Sequence, residues 1–328
     1  MKIFYAVQAT GNGHISRAME ILPHLQQYGE VDIFLSGSNS NLQMNNIKYR
    51  SKGLSLFYSG SGGLNYKKIA ASLAPMRVVK EVRQLPVEKY DLVLNDYESI
   101  TSLACAHKKI KSIHFGHQAS FLSGNTPRPE RKNLFGEFLL NNFAKAPKNI
   151  GLHFAAYDDF ILPPVIKEAI WNAQPFSGTH ITVYLLSYTD EVVLKHLSPL
   201  TNYTFEVFSK EVKTITLRGN VSFIPLNNDA FNKSLIDCCG IITGAGFETP
   251  AEALYLHKKL MVIPVKGQYE QKCNAAALKK FGVSVVTDLD INFHMSFSKW
   301  ITDNAQLPVH YKKNTKEIVK NMMEMVSG

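Results

Sequence analysis

The chain has 328 residues, a formal net charge of +9 and 45% hydrophobic residues. That length admits two domains with separate cores, and the composition excludes a low-complexity or disordered chain. The four cysteines (Cys105, Cys238, Cys239, Cys273) form no C-x-x-C, which argues against a disulfide framework and suits buried thiols in a reducing compartment.

The first apolar run, residues 1–7, reads as a strand and is too short for a signal peptide. No run approaches the length of a membrane span. A soluble cytoplasmic protein is expected, or one peripheral on the inner membrane face. The first strand leads into Gln8-Ala-Thr-Gly-Asn-Gly-His-Ile-Ser-Arg17 and a helix over 16–28 with Met19, Leu22 and Leu25 at helical spacing. A dinucleotide fingerprint would need a small residue where Ser16 stands and an acidic residue after the second strand, 31–35. That strand instead ends Phe34-Leu-Ser36, so NAD binding is disfavoured. A histidine suits general-base work, its unperturbed pKa being about 6.5, which makes His14 a candidate. The other reading of His14 is a helix-end residue bonded to its loop.

Gly60-Ser-Gly-Gly63 reads as a loop. Lys67, Lys68, Arg77, Lys80 and Arg83 follow on a segment that can be a helix with Ile69, Leu73 and Val79 inward. A strand at 91–95 places Asp96 at its carboxyl end, where it either orients a base or caps the helix starting near Ser99. The next strand, 111–115, carries His117 just beyond it, a rival base or acceptor contact. A loop spans 124–133. Residues 1–150 hold 19 Lys/Arg against 10 Asp/Glu, whereas residues 151–328 hold 17 of each. The basic excess is either ordinary surface charge or a face for an anionic acceptor or lipid surface. No aromatic-interleaved basic cluster supports nucleic-acid binding.

The Pro-containing stretch from Leu162-Pro-Pro164 to Gly178 marks a domain boundary. Strands are expected at 180–186, 205–208 and 221–224, continuing the strand–helix alternation of a doubly wound parallel sheet. A buried strand at 240–243 breaks at Gly244-Ala-Gly246 and restarts as a helix, with Thr249 as its cap and Pro250 in the first helical position. Such a junction directs free backbone N–H groups and a helix dipole at an anion, commonly phosphate. A strand at 258–264 then leads through a loop to Glu270-Gln-Lys-Cys-Asn-Ala275. Asp288-Leu-Asp290 has the spacing of a metal-binding D-x-D but follows the strand at 283–286 and reads as a turn before a helix around 297–301. The last helix, 314–325, is amphipathic, with Ile318, Val319 and Met322 on one face.

Gly246, Thr249, Glu252, Pro264, Glu270, Gln271, Asn274 and Ala275 stand in register with a known pattern. It resembles the donor signature of GT-B nucleotide-sugar glycosyltransferases, in the branch of UDP-glycosyltransferases and the peptidoglycan N-acetylglucosaminyltransferase. Gly-x-Gly-His-x-x-Arg at 11–17 is similar to the first turn of the same branch. The resemblance implies an α/β protein with two Rossmann-like doubly wound domains facing a cleft. It places an acceptor domain at 1–162, a linker at 163–178 and a donor domain at 179–307. A final helix at 308–328 would cross back to the first domain.

The implied activity is transfer of a hexosyl or N-acetylhexosaminyl group from a UDP-sugar to an acceptor hydroxyl, with inversion, in cell-envelope or glycoconjugate biosynthesis. No metal or other cofactor is implied. His14 would be the base and Asp96 its orienter. Donor contacts would come from Gly13, Gly244, Gly246, Phe247, Thr249, Glu252 (ribose), Glu270 and Gln271 (sugar), Asn274 (loop or phosphate) and the backbone near Phe223 (base). Gly244 stands where many relatives have a cation, and Glu248 brings a negative charge beside the leaving group. Arg17 and Lys266 are candidates to compensate. The acceptor would be anionic or lipid-linked. A nucleotide-sugar hydrolase and a non-catalytic nucleotide-sugar binder remain open alternatives.

Overall fold

The computed structural model describes residues 1–9, 11–37, 44, 47–53 and 74–327. The Gly60–Gly63 loop, Lys67, Lys68, Ile69 and Leu73 lie outside them. In the first sheet, β1 (Lys2–Gln8) is followed by α1 (Asn12–Leu25), β2 (Glu30–Ser36), β3 (Ile47–Ser51), α2 (Pro75–Gln84), β4 (Leu92–Asp96), α3 (Ser99–Lys108) and β5 (Ile113–Gly116). Then come α4 (Leu134–Asn142), β6 (Lys148–Leu152) and β7 (Ile161–Leu162). The strand order is β3-β2-β1-β4-β5-β6-β7, every pair parallel.

After α5 (Glu168–Trp171), the second sheet takes β8 (His180–Tyr184), α6 (Asp190–Leu197), β9 (Thr204–Ser209), β10 (Thr216–Arg218), β11 (Val221–Pro225), α7 (Asn228–Asp237) and β12 (Gly240–Thr243). It continues with α8 (Glu248–Tyr255), β13 (Lys259–Val262), α9 (Tyr269–Lys279), β14 (Ser284–Val285), α10 (Phe293–Thr302) and α11 (Thr315–Ser327). Its order is β10-β11-β9-β8-β12-β13-β14, parallel except for the β10–β11 hairpin.

The central strands are buried along their length because helices cover both faces, which is why β1 and β12 read as continuous apolar runs rather than alternating ones. Each sheet has a switch point where the strand order reverses, beside β1 and β4 in the first and β8 and β12 in the second. Ligands bind outside the carboxyl ends of the strands at such points.

Three local expectations need correction. Helix α1 starts at Asn12, not at 16, so Gly13 and His14 belong to its first turn. Helix α8 starts at Glu248 with Phe247 at its N-cap and no side-chain cap, so Thr249 and Pro250 sit within the first turn. Pro250 is tolerated there because the first helical N–H groups have no intrahelical partner anyway. In α2, Val79 is 50% exposed, and Val82 packs on the Phe4–Phe34–Val87 cluster instead.

Helix α11 returns to lie against α1. Tyr311 Oη donates to the Phe154 carbonyl (3.2 Å) and Asn314 Nδ2 to that of Pro163 (3.0 Å), fixing the approach. Ile318, Val319 and Met322 face the core. Among the described residues, no helix is long and apolar enough to cross a membrane. Met322 is fully buried, so Met322→Ala is expected to cost about 2–5 kcal/mol of stability, the usual range for truncating a buried long side chain. Denaturant unfolding measures it; a loss below about 0.5 kcal/mol would show that α11 contributes no packing.

Candidate functional site

The first half of the site forms where β1 and β4 lie side by side, with Val7 in register with Asp96. Helix α1 leaves the end of β1 through Gly11-Asn-Gly13, which lifts His14 over the end of β4. His14 Nδ1 lies 2.7 Å from Asp96 Oδ1. One turn later Arg17 grips the same carboxylate with two donors, Nε to Oδ2 at 3.1 Å and Nη2 to Oδ1 at 2.7 Å. Its remaining nitrogen, Nη1, donates to Glu248 at the start of α8, in the other half of the molecule.

Asp96 is not the cap of α3. Glu98 does that, accepting from Ile100 N (3.0 Å) and Thr101 N (2.6 Å). Gly116 makes room for the charge cluster. Its φ is +122°, and a Cβ there would stand 2.9 Å from Asp96 Oδ1 and 3.0 Å from Arg17 Nη2.

Burial of Asp96 by itself would favour its neutral form. The charges of Arg17 and His14 and their hydrogen bonds overcome this and hold the carboxyl down at about 2. An ionised Asp96 can only accept, so the proton of a neutral His14 sits on Nδ1 and the lone pair on Nε2. Arg17 Nη2 also lies 3.0 Å from His14 Nδ1. With both nitrogens carrying hydrogens, that approach is not a bond, and Asp96 Oδ1 serves both. The His14 side chain is 13% exposed, so the pair is reachable from solvent.

A cavity of about 440 Å³ opens between the carboxyl ends of the two sheets. Of the candidate donor residues, Gly13, Gly244, Gly246, Phe247, Thr249, Glu252 and Gln271 line it. A Cβ at Gly246 would meet nothing within 4 Å, which leaves the loop backbone open to a ligand. Gln271 Oε1 is held by the Val265 N–H (2.9 Å). Lys167 lies 3.2 Å from Glu252 Oε1, while Glu252 Oε2 is buried with no hydrogen-bond partner among the described residues. Burial pushes the Glu252 pKa up, against the pull of Lys167.

The other candidates sit elsewhere. Phe223 is a core residue of β11 beneath the Arg218 guanidinium, and Leu226, Asn227 and Asn228 take its expected place on the cavity wall. Asn274 is fully buried and donates to the Ala245 carbonyl (3.0 Å), so it braces the glycine loop from behind. Its Oδ1 lies 2.7 Å from His117 Nε2, and His117 Nδ1 lies 2.9 Å from the Leu152 carbonyl.

His117 is buried with both ring nitrogens occupied, and it stacks on Phe247 at 4.0 Å. It is an interdomain contact and is not placed to act as a base. Glu270 lies off the cavity wall, 3.9 Å from His117 Nε2. Arg17 is committed to Asp96 and Glu248, and Lys266 to Asp288. Asp288 also accepts from Tyr188 Oη (2.7 Å).

Lys167, Tyr184 and Phe231 line the cavity and were not singled out from the sequence. Lys167 stands in no recognisable motif, and the other two read as ordinary strand and helix residues. Gln118, whose amide nitrogen lies 3.5 Å from His14 Nε2, is a further residue without a local signal.

A family profile described as "Glycosyl transferase family 1" matches residues 1–301. No curated protein matches the chain by sequence. Among solved structures, UGT89C1 of Arabidopsis thaliana, complexed with quercetin, is similar with a TM-score of 0.59 at 14% identity, covering 99% of this chain and 98% of that one. The glycosyltransferase SnogD from Streptomyces nogalater gives 0.53 at 14% identity, covering 100% and 95%. The spinosyn forosaminyltransferase SpnP gives 0.58 at 12%, covering 100% of both chains. These are likenesses of fold, that of two Rossmann-like domains facing a cleft.

The Asp96 carboxyl stands near 2 when folded and about 3.9 when unfolded. Its ionisation therefore contributes about 2–3 kcal/mol above the unfolded value, and that contribution is lost as pH falls toward 2. The stability gap between the wild-type chain and Asp96→Asn is expected to shrink as pH falls from 5 to 2 in denaturant unfolding. A gap independent of pH would show that Asp96 is not held ionised by Arg17 and His14.

Proposed function

The chain belongs to glycosyl transferase family 1, and from that premise we propose that it moves a sugar from a UDP-sugar to an acceptor hydroxyl by direct displacement with inversion and without a metal. The observation that carries this reading is the His14–Asp96 pair at 2.7 Å, one residue from Gly13 on the cavity wall and facing the N-terminus of α8. His14 Nε2 takes the proton of the acceptor hydroxyl as its oxygen attacks the anomeric carbon. The bond from that carbon to the diphosphate breaks, its electron pair leaves with the nucleoside diphosphate, and Asp96 balances the imidazolium.

Backbone N–H groups at the start of α8 and the hydroxyl of Thr249, which lines the cavity, would stabilise the charge that grows on the leaving oxygens. Glu248 would oppose that charge if it were free, but its partner Arg17 offsets it. Glu252 offers an oxygen to the ribose, and Gln271 stands beside Gly244 for the sugar hydroxyls. Asp288, paired with Lys266, has a role in the loop that needs no divalent ion.

The acceptor is proposed to be lipid-linked or anionic. Helix α4 supports this: it packs inward through Gly136 and Leu140 and turns Leu134 (85% exposed), Phe135 (70%) and Phe138 (60%) outward. The exposed Arg131 and Lys132 precede it. Tyr269 of α9 donates to Glu137 of α4 (2.6 Å), which sets this face beside the interdomain contact. An apolar helix face next to cations suits the boundary of an anionic lipid leaflet.

Turnover of UDP-sugars in excess chelator is expected to persist in the wild-type chain and to fall by about 10²–10⁴ in His14→Ala, with nucleotide affinity little changed. His14→Ala with near wild-type turnover would rule out the proposed base, and sugar release without any acceptor would assign a hydrolase.

Phe135→Ser with Phe138→Ser is expected to abolish co-sedimentation with anionic vesicles, while binding by the unaltered chain should weaken with added salt, since charges are screened over about 8 Å at physiological strength. Equal sedimentation with neutral and anionic vesicles would remove the charge-assisted contact.

A further inference from the structure

Lys167 belongs to neither sheet. It lies between β7 and β8, at the N-cap of α5, yet its side chain is spent on the second half of the molecule. Its ammonium donates to Asn232 Oδ1 on α7 at 2.9 Å, lies 3.2 Å from Glu252 Oε1 on α8, and stands 5.6 Å from the centre of the Phe231 ring. A lysine is rarely this buried unless paired. Lys167 and Glu252 both face the 440 Å³ cavity.

The pair leaves one group unanswered. Glu252 Oε1 has Lys167, but Oε2 is buried and has no hydrogen-bond partner among the described residues. An orphaned buried acceptor is costly, more so on a charged group, and it marks a place where a ligand donor belongs.

We propose that Lys167 is a positioning residue for nucleotide binding: it clamps one oxygen of Glu252 so that the other accepts from the vicinal hydroxyls of a ribose, which ties ribose recognition to the segment joining the two sheets. This rests on the reading of the cavity as a nucleotide-sugar site. Two devices work at once. Asn232 and the Phe231 ring fix the ammonium, so Glu252 has one rotamer rather than several. The positive charge also favours the ionised, purely accepting form of the carboxyl against the burial that raises its pKa.

The groups facing Glu252 divide by sign. Glu248, one turn earlier on α8, and Glu20 of α1 both push it toward its neutral form, as does burial, and Lys167 opposes them. Without that cation the carboxyl takes a proton at higher pH. Ribose binding that depends on the ionised form is then retained above its pKa and lost as pH falls through it.

The test is calorimetric titration of the full chain with UDP and with 2′,3′-dideoxy-UDP between pH 6 and 8.5, in the wild type, Lys167→Met, Lys167→Arg and Glu252→Gln. Lys167→Met is expected to weaken UDP by about tenfold to a hundredfold at pH 6, the worth of a hydrogen bond to a charged group. Affinity should recover as pH rises, Lys167→Arg should restore most of it, and the dideoxy nucleotide should bind wild type and Lys167→Met alike. Lys167→Met binding UDP as wild type at every pH, while Glu252→Gln loses it, overturns the inference alone. So does an equal loss of both nucleotides at every pH with no rescue by arginine, which is the signature of a merely structural lysine. A wild-type chain that binds neither nucleotide overturns the reading of the cavity and the inference with it.

Discussion

One guanidinium between two carboxylates sets the geometry of this molecule. Arg17 holds Asp96 of its own sheet with two hydrogen bonds and Glu248 of the opposite half with a third contact. Removing three charges from water costs several kcal/mol for each, so such a cluster is a weak source of net stability. Its effect is on arrangement. With Asp96 fixed, the His14 tautomer follows; with Glu248 fixed, the start of α8 is aimed at the turn after β1. Glycine keeps the cluster uncrowded on both sides. Gly116 leaves space for the Arg17–Asp96 pair, and a Cβ at Gly13 would stand 2.4 Å from Glu248 Oε2.

The same cluster explains why the two departures from the glycosyltransferase pattern are compatible. On the proposed reading, Glu248 would bring a carboxylate to the edge of the diphosphate site, and Gly244 would leave that site without the cation the resembled pattern often carries. Arg17 offsets the first without itself facing the cavity. The second leaves the glycine loop open, with Gln271 the nearest side chain to where a Gly244 substituent would point. Under the same reading, stabilisation of an anion would fall to backbone N–H groups, whose dipoles are already oriented and would need no rearrangement when charge develops. Behind the loop, Asn274 and His117 brace it. The His117 ring stacks on Phe247, so the loop of one half is packed against the β5 end of the other.

Much of this was legible in local sequence. Strand–helix alternation implied a doubly wound parallel sheet, and the spacing from Gly246 to Ala275 resembled a donor signature whose family implies two such domains. His14 and Asp96 were readable because one follows the glycine turn after an apolar strand and the other ends such a strand, and parallel pairing of β1 with β4 brings these positions together. The errors have physical causes. Thr249 looked like a cap because it is a capping residue type before a proline, but Phe247 holds the cap and α8 begins one residue before Thr249. Phe223 was placed at the ligand because it lies near the end of a strand, yet the base of the cavity wall falls on the residues after that strand. Val79 was set inward with Ile69 and Leu73 as one helical face, whereas α2 begins only at Pro75 and it is Val82 that packs on the core.

Sequence by itself determined most of the central strands, the sheet class and the residues carried on the ends of adjacent strands, because periodicity, glycine turns and strand-end positions are local properties of the chain. Only tertiary structure decided which charges meet. Arg17 and Glu248 are separated by 231 residues, and Asp96 and Arg17 by 79. Lys167 and Glu252 stand on different segments with no shared motif, and His117, a strand-end histidine by sequence, is sealed by contacts from the far half. Pairings of this kind depend on how two separately formed sheets face each other across a cleft. No short-range pattern encodes that distance, so the roles of Arg17, Glu248 and Lys167 became readable only once the two halves were seen together.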